Sequence, residues 1–285
     1  MIVRLAIGLT CLETGSWWRS AAGSFFEVPA VYSTKPGKLM EWAHLIGYDG
    51  VQLLPMHGVQ KLKDLSYILT CEGVWTPEAR TLWQRLQHPM EWMLFLAPPT
   101  RDEVLAKWQD LGIPRVRHDF SGEKGDYIEI RHGIEDVHRL NDLIVLAETT
   151  RCQYVADMRH LLELHPEGSY LKNGEKAAHG ALHQLEPHIS RIIHLQPPVF
   201  GADQFFSDPV NTPTGRIFIH ALQIVQRNHK AGKYGAEEAI AVAEYLQGAR
   251  AIAALSNRRV IGQATSMYKA MRLLCQQVSG VELTR

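Results

Sequence analysis

The sequence is short of most features that announce a function. Its four cysteines, Cys11, Cys71, Cys152 and Cys275, are scattered with no CxxC spacing. That argues against a thioredoxin-like redox motif or a cysteine zinc module and suits four reduced thiols. Fourteen histidines include no HExxH pair, so neither a zinc-protease helix nor a Cys–His finger is indicated. No GxSxG elbow and no GxxxxGK[ST] loop occurs, which removes the usual signs of a serine hydrolase and a P-loop NTPase. There is no surplus of charge: 30 Lys plus Arg face 30 Asp plus Glu. The overall electrostatics therefore make no case for nucleic acid or an anionic membrane as partner. No apolar run approaches the ~18 residues of a membrane span. The opening segment, Met1 to Thr10, lacks a basic n-region and is interrupted by Arg4, so it reads as a first strand and not as a signal peptide. A soluble, cytoplasmic protein is expected.

What is present is alternation. At 285 residues and 46% apolar composition, the chain can form one large α/β barrel or two ordinary domains. Residues 2–10 predict a strand. Pro36 then opens a helical pattern through Leu39, Trp42, Ala43 and Ile46, and Gly47-Tyr48-Asp49-Gly50 ends it before a strand at 51–54. Further helices are predicted at 76–86, 101–111, 134–149, 217–228 and 264–277, with another around Ala178, Leu182 and Leu185. Further strands are predicted at 92–96, 115–118, 127–130, 153–157, 191–195 and 239–244. About eight strands separated mostly by helices predict a parallel sheet with right-handed crossovers. The first strand is not followed by a Gly-rich phosphate fingerprint, which favours a closed barrel over an open doubly wound sheet. The expected fold is a (β/α)8 TIM barrel over 1–285 with an irregularity around residues 118–127, where no crossover helix fits. The Pro- and Gly-containing stretch 197–215 predicts a long loop beside the site.

Four predicted strands end in a side chain able to bind a metal: Tyr127-Ile-Glu129-Ile130, Tyr154-Val-Ala-Asp157, Arg191-Ile-Ile-His194, and Ile240-Ala-Val-Ala-Glu244. Strand ends are where a β/α barrel builds its site. Three carboxylates and one imidazole form the mixed oxygen and nitrogen set of Mn, Zn, Mg or Co. Each residue has a plainer reading. Glu129 fits the solvated side of an edge strand, Asp157 a helix N-cap, His194 a core histidine, and Glu244 a surface turn. Glu148, at the end of another apolar run, competes with Glu129 and ranks second because only four residues separate it from the next strand. His160 lies three residues beyond Asp157, placed for a ligand, an acid or base, or a second-shell partner, and Arg159 could meet an anionic group. The aromatic stretch containing Trp17, Trp18, Phe25 and Phe26 fits either a pocket wall or core.

The order Glu, Asp-x-x-His, His, Glu on late strands resembles the xylose-isomerase-like β/α barrels, which include sugar-phosphate isomerases and epimerases and the endonuclease IV class of abasic-site nucleases. Gly47-Tyr-Asp-Gly-Val-Gln52 is similar to that group's second strand, and Asp157-Met-Arg-His160 to its Asp-x-x-His strand. The resemblance implies metal binding by Glu129, Asp157, His194 and Glu244. Glu129 and Glu244 would also be the acid–base pair, with His160 beside them. A small sugar-like substrate would be met by Arg159, Trp17, Gln52 and His57. Two departures stand out: Gln52 replaces a frequent glutamate, and Gln196-Pro197 follows His194. The implied activity is a metal-dependent isomerase or epimerase of a small sugar, sugar phosphate or polyol. The alternatives are a metal-free barrel that binds a ligand or partner, and an abasic-site nuclease, which the neutral charge balance disfavours. The sequence leaves the oligomeric state open, and a homo-oligomer is compatible with it.

Overall fold

The structure is a computed structural model, and the residues it describes are 1–8, 36–53, 66–72, 112–117, 127–130, 137–162, 173–197, 202–244 and 257–284. Eight strands appear in chain order: β1 (Ile2–Gly8), β2 (Gly50–Leu53), β3 (Ile68–Glu72), β4 (Arg115–Arg117), β5 (Tyr127–Glu129), β6 (Gln153–Asp157), β7 (Ile189–Leu195) and β8 (Ala239–Ala243). Each pairs in parallel with the next, and β8 pairs in parallel with β1. The ring therefore closes, and the expected TIM barrel is what the chain forms. A short β9 (Glu282–Leu283) adds to the start of β1.

Closure explains the sequence of the strands. Each buries both faces, so their residues form near-continuous apolar runs: every residue of β7 and β8 is buried, as are Tyr154 to Asp157 of β6. One apolar cluster fills the barrel interior, with Ala6, Val116, Val155, Ile192, Ile240 and Val242 among its members. A much larger cluster lies between strands and helices. Those helices are α1 (Pro36–Ile46), α2 (Val137–Thr150), α3 (Met158–Leu162), α4 (Asn173–Leu185), α5 (Ala202–Ser207), α6 (Pro213–Lys230) and α7 (Asn257–Gln276). Single polar groups fix them to the sheet. Tyr154 donates its hydroxyl to the Leu143 carbonyl of α2 at 2.6 Å, and Tyr48 donates to Ala264 of α7 at 3.0 Å.

The Gly-Tyr-Asp-Gly segment has a specific task. Gly47 adopts φ +113° and its amide reaches back to the Ala43 and His44 carbonyls, which ends α1. Asp49 then accepts from the Leu5 amide at 2.7 Å and ties the entry of β2 to β1.

Several expectations are corrected. The third place in the ring belongs to β3 at 68–72, a strand the periodicity did not reveal. The strand expected at 92–96 and the helices expected at 76–86 and 101–111 lie outside the described residues. The irregularity expected around 118–127 takes a definite form, because β4 and β5 are parallel neighbours although only residues 118–126 join them. The stretch 197–215 is not one long loop. It contains α5, a 3-10 turn at Pro209–Asn211, and the start of α6. Thr212 caps α6 by accepting from the Gly215 amide at 3.1 Å, with Pro213 at the first helical position.

At the N-terminal end of the barrel, Arg4, Arg191, Glu237 and Glu238 line a cavity of about 500 Å³. Arg191 pairs with Glu237 at 2.6 Å and donates to the Glu238 carbonyl at 2.9 Å, so these charges largely satisfy one another. In barrels of this kind the N-terminal face serves stability and the C-terminal face carries the chemistry. Among the described residues no helix is long and apolar enough to cross a membrane.

Candidate metal centre

Four consecutive strands, β5 to β8, deliver polar side chains to the C-terminal end of the barrel. Register sets their level and alternation sets their side. Glu129 is level with Val155 of β6, Asp157 with His194 of β7, and His194 with Val242 of β8. Val155 and Val242 face the barrel interior, so Asp157 and Glu244, two residues further along their strands, face it too. Ligand atoms of Glu129, Asp157, His194 and Glu244 consequently all lie within 4.8 Å of one another.

Burial makes this grouping costly unless something positive joins it. Glu129 is 1% exposed and Asp157 and His194 are fully buried. Asp157 Oδ2 and His194 Nε2 have no hydrogen-bond partner, although buried polar atoms ordinarily have one. Burial is the main influence pushing the Asp157 carboxyl up to about 6, and the Glu129 carboxylate adds to it, against the opposing pull of His160 and His194. Three carboxylates and an imidazole gathered within 4.8 Å, two of them with an unpartnered buried atom in Asp157 Oδ2 and His194 Nε2, are a donor set suited to a divalent metal ion.

The neighbouring groups hold these side chains in place. Asp157 Oδ1 accepts from the His160 amide at 2.9 Å, capping α3. The N-cap and ligand readings of Asp157 are thus compatible, because one oxygen caps the helix while the other faces the cluster. His160 Nε2 lies 3.5 Å from Glu129 Oε1. His194 Nδ1 lies 3.3 Å from Glu244 Oε2. Gln52, 1% exposed at the end of β2, donates its amide to Glu244 Oε1. Arg159 is half-buried on α3, two residues beyond Asp157.

Glu129 and Glu148 are now distinguished. Glu148 sits on an exposed face of α2, away from the strand ends. Gln52, expected to meet substrate, donates to a carboxylate of the cluster. The amide is well chosen for that position: a glutamate there would set two buried carboxylates against each other and force one to take a proton. That contact joins residues 192 positions apart, and no local pattern encodes it. Trp17, Trp18, Phe25, Phe26 and His57 lie outside the described residues.

No family model matches the chain, and no curated protein matches it. Among solved structures, two crystal forms of an amidohydrolase from Burkholderia multivorans are similar to it. The form with bound HEPES is 12% identical, with a TM-score of 0.44 and coverage of 94% of this chain and 92% of the other. The form with bound zinc is 11% identical, with a TM-score of 0.44 and coverage of 94% and 91%. These matches correct the family expectation, since they are to amidohydrolases and not to xylose-isomerase-like barrels. The physical reason is that short motifs at strand ends report barrel geometry and ligand type, which unrelated lineages can share. At this identity and TM-score the likeness is one of fold and carries no activity over. The chain is a closed (β/α)8 barrel whose C-terminal face holds a buried Glu–Asp–His–Glu group suited to a divalent metal ion.

Proposed function

We propose that the protein is a divalent-metal-dependent enzyme that moves a proton at a carbon next to the carbonyl of a small polyhydroxylated substrate, as an isomerase or epimerase does. The observation that carries this reading is the placement of the two glutamates. Glu129 comes from β5 and Glu244 from β8, with Asp157 and His194 on the two strands between them. A substrate seated over the cluster would have one carboxylate on either side.

A bound divalent cation would supply the positive charge that polarises the carbonyl. Asp157 and His194, together with Glu129 and Glu244, would hold the cation. One glutamate takes the proton from carbon and the other returns one, the task that positioned carboxylates perform in general acid–base catalysis. His160, 3.5 Å from Glu129, orients that carboxylate, and the Gln52 amide fixes Glu244. Arg159 would meet a phosphate or carboxylate on the substrate. Residues 1–285 act as one domain, and the free, buried Cys152 and Cys275 accord with a reducing, cytoplasmic setting.

The test is isotope exchange. Protein loaded in turn with Mn, Co, Mg and Zn is incubated in D2O with a panel of keto- and aldo-sugars and their phosphates, and carbon-bound deuterium is followed by NMR. Exchange at the carbon beside the carbonyl is expected, slowed by about 10²–10⁴-fold in Glu129→Gln and in Glu244→Gln. A metal-loaded protein that hydrolyses amides or esters while exchanging no carbon-bound hydrogen would overturn the reading.

A further inference from the structure

A second cluster of metal-binding side chains lies outside the barrel mouth, between α4 and α6. Glu175, His179 and His183 follow one another at four-residue intervals on α4, and Arg216 and His220 do the same on α6, so each set shares a helix face. The two faces meet at the histidines. His179 Nδ1 and His220 Nδ1 are 2.8 Å apart, with ring centroids 4.9 Å apart and planes inclined by 39°. Both side chains are partly exposed.

Two imidazole nitrogens at that separation share a single proton. The surroundings say which ring accepts. The Glu175 carboxylate lies 3.7 Å from His179 Nε2 and is itself gripped by two Arg216 nitrogens at 2.5 and 2.7 Å. A carboxylate so placed favours the proton on Nε2 and leaves the Nδ1 lone pair of His179 facing His220, the arrangement that prepares a histidine to bind a metal. Burial, then the neighbouring His179 and Arg227, lower the pKa of His220 and keep it neutral.

We propose that His179 and His220 form a surface site for a divalent ion that prefers nitrogen donors and square-planar geometry, Cu(II) or Ni(II), which replaces the shared proton. The spacing is compatible with that geometry. With nitrogen–metal distances of about 2.0 Å, adjacent corners of a square-planar site are about 2.8 Å apart, against about 3.3 Å for tetrahedral ligands. The observed 2.8 Å is the length of the shared-proton hydrogen bond, and it accommodates the square arrangement once the two rings turn their lone pairs toward one ion. His183, one turn further along α4, is 81% exposed with its Nδ1 4.0 Å from Glu186 Oε2, and it is the third imidazole of the two helix faces.

The barrel mouth holds His194, with His160 beside Glu129, so the nitrogens counted by electron paramagnetic resonance of Cu(II) are compared between the wild type, Asp157→Asn and the histidine variants. Tag-free full-length protein with its barrel site loaded with Mg is titrated with Cu(II), and Ni(II) binding is measured by calorimetry. A signal with two or more imidazole nitrogens is expected, and His179→Gln or His220→Gln should weaken binding at least 10-fold. Both variants are first checked by melting curve, and His179→Gln stands alone if His220→Gln does not fold. Asp157→Asn should lose the barrel ion and retain this one. A one-nitrogen signal in the wild type, or equal affinity in the wild type and a folded histidine variant, would overturn the proposal.

Discussion

Replacing Asp157 by Asn is expected to abolish divalent-ion binding at the barrel mouth while leaving the fold intact. Asparagine keeps the oxygen that accepts from the His160 amide at 2.9 Å, so the α3 cap survives. What disappears is the anionic oxygen that faces the cluster. Loss of a ligand should cost at least the 10–100-fold in affinity that supporting residues alone are worth. Elemental analysis after dialysis reads this directly. A melting curve reads it independently: at an ion concentration 100 times Kd, the wild type should gain about 2.7 kcal/mol, a rise of roughly 4–5 °C for a chain of this size. The variant should show no such rise. Equal metal content in the two proteins would remove Asp157 from the ligand set.

The same substitution has a pH signature in the metal-free state. The Asp157 carboxyl is raised from its ordinary 3.8 to about 6, chiefly by burial. The folded protein therefore holds a proton that the unfolded chain releases. Its contribution to stability is fully present below pH 3.8 and is lost as pH rises through about 6. Metal-free Asp157→Asn lacks that loss. Relative to the wild type it should be more stable at pH 7 than at pH 5, measured by urea unfolding at the two values. Such a site holds charges that the fold alone would not favour, and a bound cation offsets their cost.

Gly215→Ala should have the largest effect on folding. Gly215 lies in the first turn of α6, where a Cβ would sit 1.8 Å from the Pro209 carbonyl oxygen and 2.8 Å from its carbonyl carbon. The obstacle is backbone, and it cannot swing aside as a side chain does. The Thr212 cap and the 3-10 turn before it would have to move together. The cost should exceed the ~1–3 kcal/mol typical of overpacking. The helix α6 packs on β7, the strand that carries His194, so metal affinity should fall along with stability. Urea unfolding with the midpoint and slope both fitted, followed by metal titration of the folded fraction, checks the two effects. A midpoint within error of the wild type would show that the turn at 209–211 adapts freely.

Much of this arrangement was legible in the chain itself. Doubly buried strands must be apolar throughout, so β6, β7 and β8 stood out, and the polar residue closing each run was conspicuous by contrast. Helix α1 was announced by its periodicity and by the glycine that ends it. The residue types at positions 129, 157, 194 and 244 suffice to suggest a metal, because ligand chemistry belongs to the side chain.

Other features depended on the closed ring. Strand β3 was missed because Ile68 to Glu72 shows neither clear alternation nor a turn signal, and pairing with β2 and β4 is what holds it. Spacing already ranked Glu129 above Glu148, and closure adds a difference in burial: one is buried at a strand end and the other lies on an exposed helix face. The Gln52–Glu244 contact and the His179–His220 pair each join residues distant in sequence, and register and helix packing bring them together. Family resemblance drawn from short motifs did not survive comparison, because a barrel places side chains at its strand ends whatever its ancestry. The sequence by itself determined which segments could be buried and which side chains could bind a cation. Only the tertiary structure decided which of those side chains meet, because that depends on how the ring closes and where each helix lies against it.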